Sequence, residues 1–281
     1  MLTAVLAHAG QALQPHDLWG AWNLDPVVLA GLIVTAWLYR RGHVGGRVAD
    51  VRRAWCFAGA LLAVGVALIS PLDAMSGVLA SAHMVQHVLL VLVAAPLLAL
   101  SAPASVLLRG GALAVRRAVA GWRRPLGLTH ARLAPLRHPI AVWLAHVVTV
   151  WFWHARVPYD AALSNGLVHV VEHASFLVTG VLFWNVVVGA RGAARVSYGF
   201  GVILVFAMAL QGVFLSVLLT FARTPWYAGY AGATTPWGLE QLADQQLAGA
   251  IMWVPAGVVY VAAGLGLMVA WLRTAAREGI A

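Results

Sequence analysis

The sequence predicts an all-α integral membrane protein, a bundle of seven transmembrane helices with its N-terminus outside and its C-terminus in the cytoplasm. Three observations lead there. Of the 281 residues, 62 % are hydrophobic and only 10 % are charged, where an ordinary soluble domain carries roughly 25 % charged residues. Several apolar runs reach or approach the roughly 20 residues that cross a bilayer. The arginines, finally, gather in alternate connections between those runs.

The first span is expected at about 23–40, with Asn23 and Asp25 near its start and Pro26 suited to a first helical turn. The second covers about 53–70 and stops before Pro71. The third covers about 82–108, with Pro96 and Pro103 as kinks that neighbouring helices make tolerable in a membrane. The remaining four fall at about 138–155, 166–189, 197–221 and 245–272. No convincing internal repeat relates them. Residues 1–22 are then an extracytoplasmic tail, 23–272 the membrane domain and 273–281 a cytoplasmic tail. The opening "MLTAVLAHAG" lacks the charged start of a signal peptide and its apolar run is short.

Arginine sets the orientation. Sixteen of the eighteen lie in the connections after spans one, three, five and seven, leaving Arg156 and Arg223 on the other side. The positive-inside rule makes the arginine-rich side cytoplasmic. The net charge of +9 comes from arginine alone, since the chain has no lysine. Charge held in short connections serves topology and lipid headgroups rather than nucleic acid. The longest such connection, 109–137, carries seven arginines and Trp122 and reads as a contact with anionic lipid. A single cysteine, Cys56, excludes an intramolecular disulfide and a multi-thiolate metal cage.

The chemistry lies in the histidines. "HMVQH" places His83 and His87 four residues apart near the outer start of span three, and "HVVEH" does the same for His169 and His173 in span five. The spacing puts each pair on one helical stripe, near enough to share a metal ion. With a rise of about 1.5 Å per residue, His154 at the outer end of span four falls at the same depth. Ionisable groups within spans are costly and face the bundle interior. Two pairs and His154 at one depth therefore read as metal ligands. Glu172 is suited to orient an imidazole from behind, as ligating histidines require. Asp244 and Gln245 at the rim of span seven, with Met84 and Met252, are auxiliary candidates; Met75 is a further soft donor nearby. Imidazole and thioether without thiolate suit copper, and imidazole with carboxylate suits zinc or iron as well.

Other readings stand beside this one. A histidine near an interface often bonds a carbonyl or water, and Met84 alone is more often packing. The tryptophans are interfacial anchors. His8 and His16 read as solvated tail residues, and His43, His130 and His138 belong to the arginine-rich side. A bis-histidine haem between His87 and His173 is the sharpest alternative, although such proteins often stack two pairs at different depths. A copper permease would continue inward, where His146 and Gln211 are the mid-membrane candidates.

"HMVQHVLLVLVAAPLLALSAP" from His83 resembles the CtaG family of bacterial cytochrome c oxidase assembly factors, the multi-span type rather than the single-span copper chaperones. "WNLDPVVLAGLIVTAWLYRRG" from Trp22, "PLDAM" from Pro71, "HARVPYDAALSNGLVHVVEHASFLVTGVLFW" from His154 and "LADQQLAGAIMWVPAG" from Leu242 carry the resemblance in order, over about residues 20–272. CopD-type copper-resistance membrane proteins are similar at greater distance. The resemblance implies a role in making an active haem-copper oxidase in the bacterial plasma membrane, by supplying or inserting copper. It implies as partners an oxidase subunit and an extracytoplasmic copper donor. His83, His87, His154, His169, His173 and the Asp244-Gln245-Gln246 start of the last span match its motifs.

Overall fold

The computed structural model describes residues 13–44, 51–113, 138–189 and 196–277, together with Arg117, Gly121 and Gly279. His8 with most of the N-terminal tail, Arg47, Arg116, the stretch 122–137 with Trp122 and His130, and Arg191 and Arg195 lie outside the described residues.

Among the described residues every regular element is helical. Helix α1 spans Pro26–Val44, α2 Val51–Ile69, α3 Pro71–Ser76, α4 Ala80–Val88, α5 Ala95–Ser101 and α6 Pro103–Gly110. After the arginine-rich connection come α7 (Pro139–His154), α8 (Arg156–Ser164), α9 (Gly166–Val188), α10 (Tyr198–Thr220) and α11 (Gln241–Arg277). Among the described residues, five stretches are long and apolar enough to cross a membrane: α2, the continuous Ala80–Ser101, α9, α10 and α11. The pair α7 and α8 makes a sixth if its 71° bend is one broken span. The first expected span, α1, falls outside that set, because its last turn is Tyr39-Arg40-Arg41-Gly42-His43.

Side chains cap several of the helix starts, and at α1 it is the Asp25 expected there. Asp25 accepts the N–H groups of Val27 (2.7 Å) and Val28 (3.1 Å), so two donors left over at the start of α1 find a partner. Asn165 does the same for Leu167 and Val168 at the start of α9, and Ser197 for Phe200 in α10.

The third expected span is interrupted rather than merely kinked. Between α4 and α5, Leu89–Ala94 winds as a π-helix, in which the Ala95 N–H reaches back to Leu90 O. In that register the next N–H would bond Val91 O, but the next residue is Pro96, which has none. Trp184 of α9 fills the gap, donating its Nε1–H to Val91 O at 2.9 Å. The chain then turns at Ala102, in the left-handed region at φ 47°, and α6 folds back against α1. There Gly42 and Gly110 let the backbones touch: a Cβ on either would strike a carbonyl of the opposite helix.

The most apolar stretch of Ala80–Ser101 is half buried, against 11 % of that of α11, so α4 and α5 form the centre of the bundle. The main apolar core joins α5, α7, α9, α10 and α11 through Phe183, Trp184, Leu204, Met208 and Leu267. The last helix is longer than expected at both ends, reaching Gln241 and Arg277. The connections α3, α8 and 221–240 cap the end where α4, α9 and α11 begin. That end carries the histidines.

Candidate metal centre

Helix α4 starts without a cap of its own: Leu79 offers no side chain to its first N–H groups. Asp244 of α11 supplies it. One carboxylate oxygen accepts the Ala80 N–H at 2.6 Å, and the other the Ser81 N–H and the Ser81 hydroxyl. Asp244 is only 1 % exposed. A carboxylate at a helix N-terminus also meets the positive end of the helix dipole. The residue expected as an auxiliary to the histidines instead fixes the helix that presents two of them. Gln245 and Gln246 hold the preceding connection, accepting the Trp226 N–H and donating to Ala222 O.

From α4, His83 and His87 project toward α9, where they meet His169, Glu172 and His173. Ligand atoms of His83, His169, Glu172 and His173 all lie within 4.8 Å of one another. The His87 ring is 4.4 Å from that of His83 and 5.4 Å from that of His173. Glu172 stands between, fully buried, with Oε2 3.4 Å from His83 Nε2 and Oε1 3.5 Å from His87 Nε2. Those distances exceed a normal N–H···O bond, and none of these four atoms has a hydrogen-bond partner. His154 of α7 sits behind His87, ring to ring at 5.8 Å. His169 is half-buried, whereas His83, His87, His154 and His173 are buried, so the centre is reached past His169.

Protons can be assigned from the surrounding bonds. Tyr230 donates to Ser76 O at 2.9 Å, which leaves its oxygen to accept from His83 Nδ1–H at 3.2 Å and from Tyr159 at 3.1 Å. His154 Nδ1–H donates to Val150 O at 2.7 Å. In both rings Nε2 then carries the lone pair. Buried polar atoms almost always find a partner. Here the His83 lone pair faces one oxygen of the Glu172 carboxylate, acceptor against acceptor, and His87 Nε2 stands unpartnered beside the other.

A tyrosine trio closes the centre on the connection side. Tyr159 of α8 stacks on Tyr227 at 3.7 Å, and Tyr227 donates to His154 O at 3.0 Å. Burial raises the Tyr230 and Tyr227 phenols well above their ordinary values, so both remain hydrogen-bond donors at neutral pH. No spacing in the sequence points to them, since Tyr230 follows His83 by 147 residues. Met84 is buried among these tyrosines, while Met252 is partly buried against the core. Met75 packs elsewhere, with Val78, Leu79 and Trp237.

Residues 32–274, including every histidine of this centre, match the family of cytochrome c oxidase caa3 assembly factors. The chain belongs to that family. Two proteins described only as uncharacterized, from Mycobacterium bovis and Mycobacterium tuberculosis, are each 26 % identical to it over 266 residues. The match takes in 90 % of this chain but 39 % of each relative, so the chain spans well under half of their length. No solved structure matches.

Proposed function

We propose that this chain is an assembly factor for a haem-copper cytochrome c oxidase. It takes a copper ion from an extracytoplasmic donor, holds it among His83, His87, His169, His173 and Glu172, and passes it to an oxidase subunit. The chain crosses the bacterial plasma membrane seven times, with α1 as the first span, the histidine centre near the outer face and the C-terminus inside. The arginine bias supports that orientation.

The acceptor-only constellation carries the reading. A cation is the partner that satisfies imidazole lone pairs and a carboxylate together, and deprotonated donors are the form that binds metal. Four imidazoles and one carboxylate suit copper, and the family's oxidase connection favours it over zinc or iron. His154, oriented through Val150 O, stands as a reserve donor to His87. Glu172 between the two pairs supports an ion rather than a haem plane in that space. Half-buried His169 is the natural position for ligand exchange with a donor or receiver. This role asks for binding and release, not catalytic turnover.

The test is copper content and the visible spectrum of purified, copper-loaded protein beside a His87→Ala/His173→Ala variant. At least one copper per chain, no Soret band, and about one copper fewer in a still-folded variant are expected. A Soret band lost in the variant would make this a haem protein instead. Equal copper in both proteins would remove the histidines from the site.

A further inference from the structure

Beneath the centre, on the side away from the tyrosine trio, lies a small, partly open cavity of about 60 Å3. Its walls are mostly apolar, and the exceptions, Gln211 and Tyr260 among them, include a set of imidazoles and thioethers. His87, His154 and His146 line it, as do Met84, Met208 and Met252. His146 is fully buried on α7, two turns deeper than His154. Its Nδ1 is 2.8 Å from Thr179 Oγ1, and that hydroxyl donates to Ser175 O. The imidazole proton therefore sits on Nδ1, and the Nε2 lone pair is left buried without a partner. Gln211 holds Met208 in place, donating to its carbonyl at 3.1 Å and lying 3.5 Å from its sulfur.

We propose that this cavity is a second metal station, specific for a soft monovalent cation such as Cu(I), with His146 Nε2 and the thioethers of Met208 and Met252 as donors. It rests on reading the outer cluster as a copper site, which feeds it through His87 and His154. Charge separates the two stations. The outer centre contains the Glu172 carboxylate and so can offset a divalent ion. The cavity offers only neutral donors, and the cost of desolvating an ion rises with the square of its charge, about fourfold from +1 to +2. Thioether with imidazole selects Cu(I) among the biological metals. Toward the arginine end the chamber meets Tyr260, stacked on Trp184 at 5.8 Å, and then buried Leu204 and Leu267. On this reading its metal supply is on the histidine side.

The experiment titrates the full chain anaerobically with cuprous ion against a Cu(I) chelator and records X-ray absorption at the copper edge. The parent is expected to bind two cuprous ions, one with sulfur ligands. Met208→Leu/Met252→Leu, which conserves volume, should bind one and lose the sulfur signal; His146→Gln should lose the same ion. His169→Ala/His173→Ala, at positions that do not line the cavity, should keep the sulfur-bound ion and lose the other. A sulfur signal unchanged in Met208→Leu/Met252→Leu overturns the chamber. A parent with a single ion bound by nitrogen and oxygen, lost in His169→Ala/His173→Ala, overturns the chamber and leaves the outer site standing. A parent with only the sulfur-bound ion, kept in that variant, upholds the chamber and sinks the outer reading. No copper in the parent sinks both.

Discussion

Asp244→Ala tests the way the centre is held together without touching it. The carboxylate accepts three donors at the start of α4 and is 1 % exposed. A hydrogen bond to a charged group contributes about 1.5–3 kcal/mol, and leaving a buried donor unpaired costs about 1–3 kcal/mol. The three share one acceptor group and do not add, so a loss of roughly 3–5 kcal/mol is expected, as when one partner of a buried pair is removed. At roughly 2–4 °C per kcal/mol for a chain of this size, thermal unfolding should fall by about 10 °C in the same detergent. Asp244→Asn keeps one oxygen and should lose about a third of that. Because His83 follows the capped turn directly, copper affinity should fall in parallel, by roughly 10–100-fold as for supports of metal ligands. A chelator competition titration reads this. If Asp244→Ala unfolds within about 2 °C of the parent with unchanged copper affinity, the cap is not what places the histidines.

Three further outcomes are expected. Protons compete with metal for imidazole, so copper affinity should fall as the pH is lowered; an affinity that stays constant down to the pH at which the chain unfolds would refute the histidine ligands. Glu172→Gln keeps the shape but removes the charge, and should weaken a divalent ion roughly 10–100-fold while sparing sulfur-bound Cu(I); an equal effect on both ions would refute the division of charge. Gly42→Ala drives a Cβ into the Val106 carbonyl and should destabilise α1 against α6 by about 1–3 kcal/mol, read as lower unfolding temperature with copper affinity unchanged.

Much of this was legible in the sequence because it is periodic. Spans α7, α9 and α10 fall within a residue of their expected bounds, since apolar runs bounded by Pro, Gly, Asn and Ser mark helix ends locally. The i, i+4 histidines of α4 and α9 meet because each pair shares a stripe. What the sequence hid was long-range. Nothing near Asp244 says that it caps a helix 164 residues earlier, and nothing near Tyr230 says that its oxygen orients His83. The π-turn before Pro96 depends on Trp184 from another helix. Glu172 was read as standing behind an imidazole, because spacing places it on α9 but does not say that α4 brings His83 and His87 to its other side.

If the centre binds copper as proposed, its unpaired acceptors explain how it can hold the metal firmly and still give it up. Each buried lone pair without a partner costs the folded chain about 1–3 kcal/mol, a cost that bound metal relieves. Affinity is thus drawn partly from the unsatisfied state of the free protein. The structure confines that cost to one face. Asp244 fixes α4, Tyr230 and Val150 O fix two imidazoles, and the tyrosine trio seals the connection side. Two of the imidazoles, His83 and His154, are therefore oriented before any metal arrives. A receiving subunit then needs only to replace ligands one at a time, starting at half-buried His169. Rigid supports around unsatisfied donors make a loading site. A closed ring of satisfied ligands would make a storage site, and that arrangement would serve an assembly factor badly.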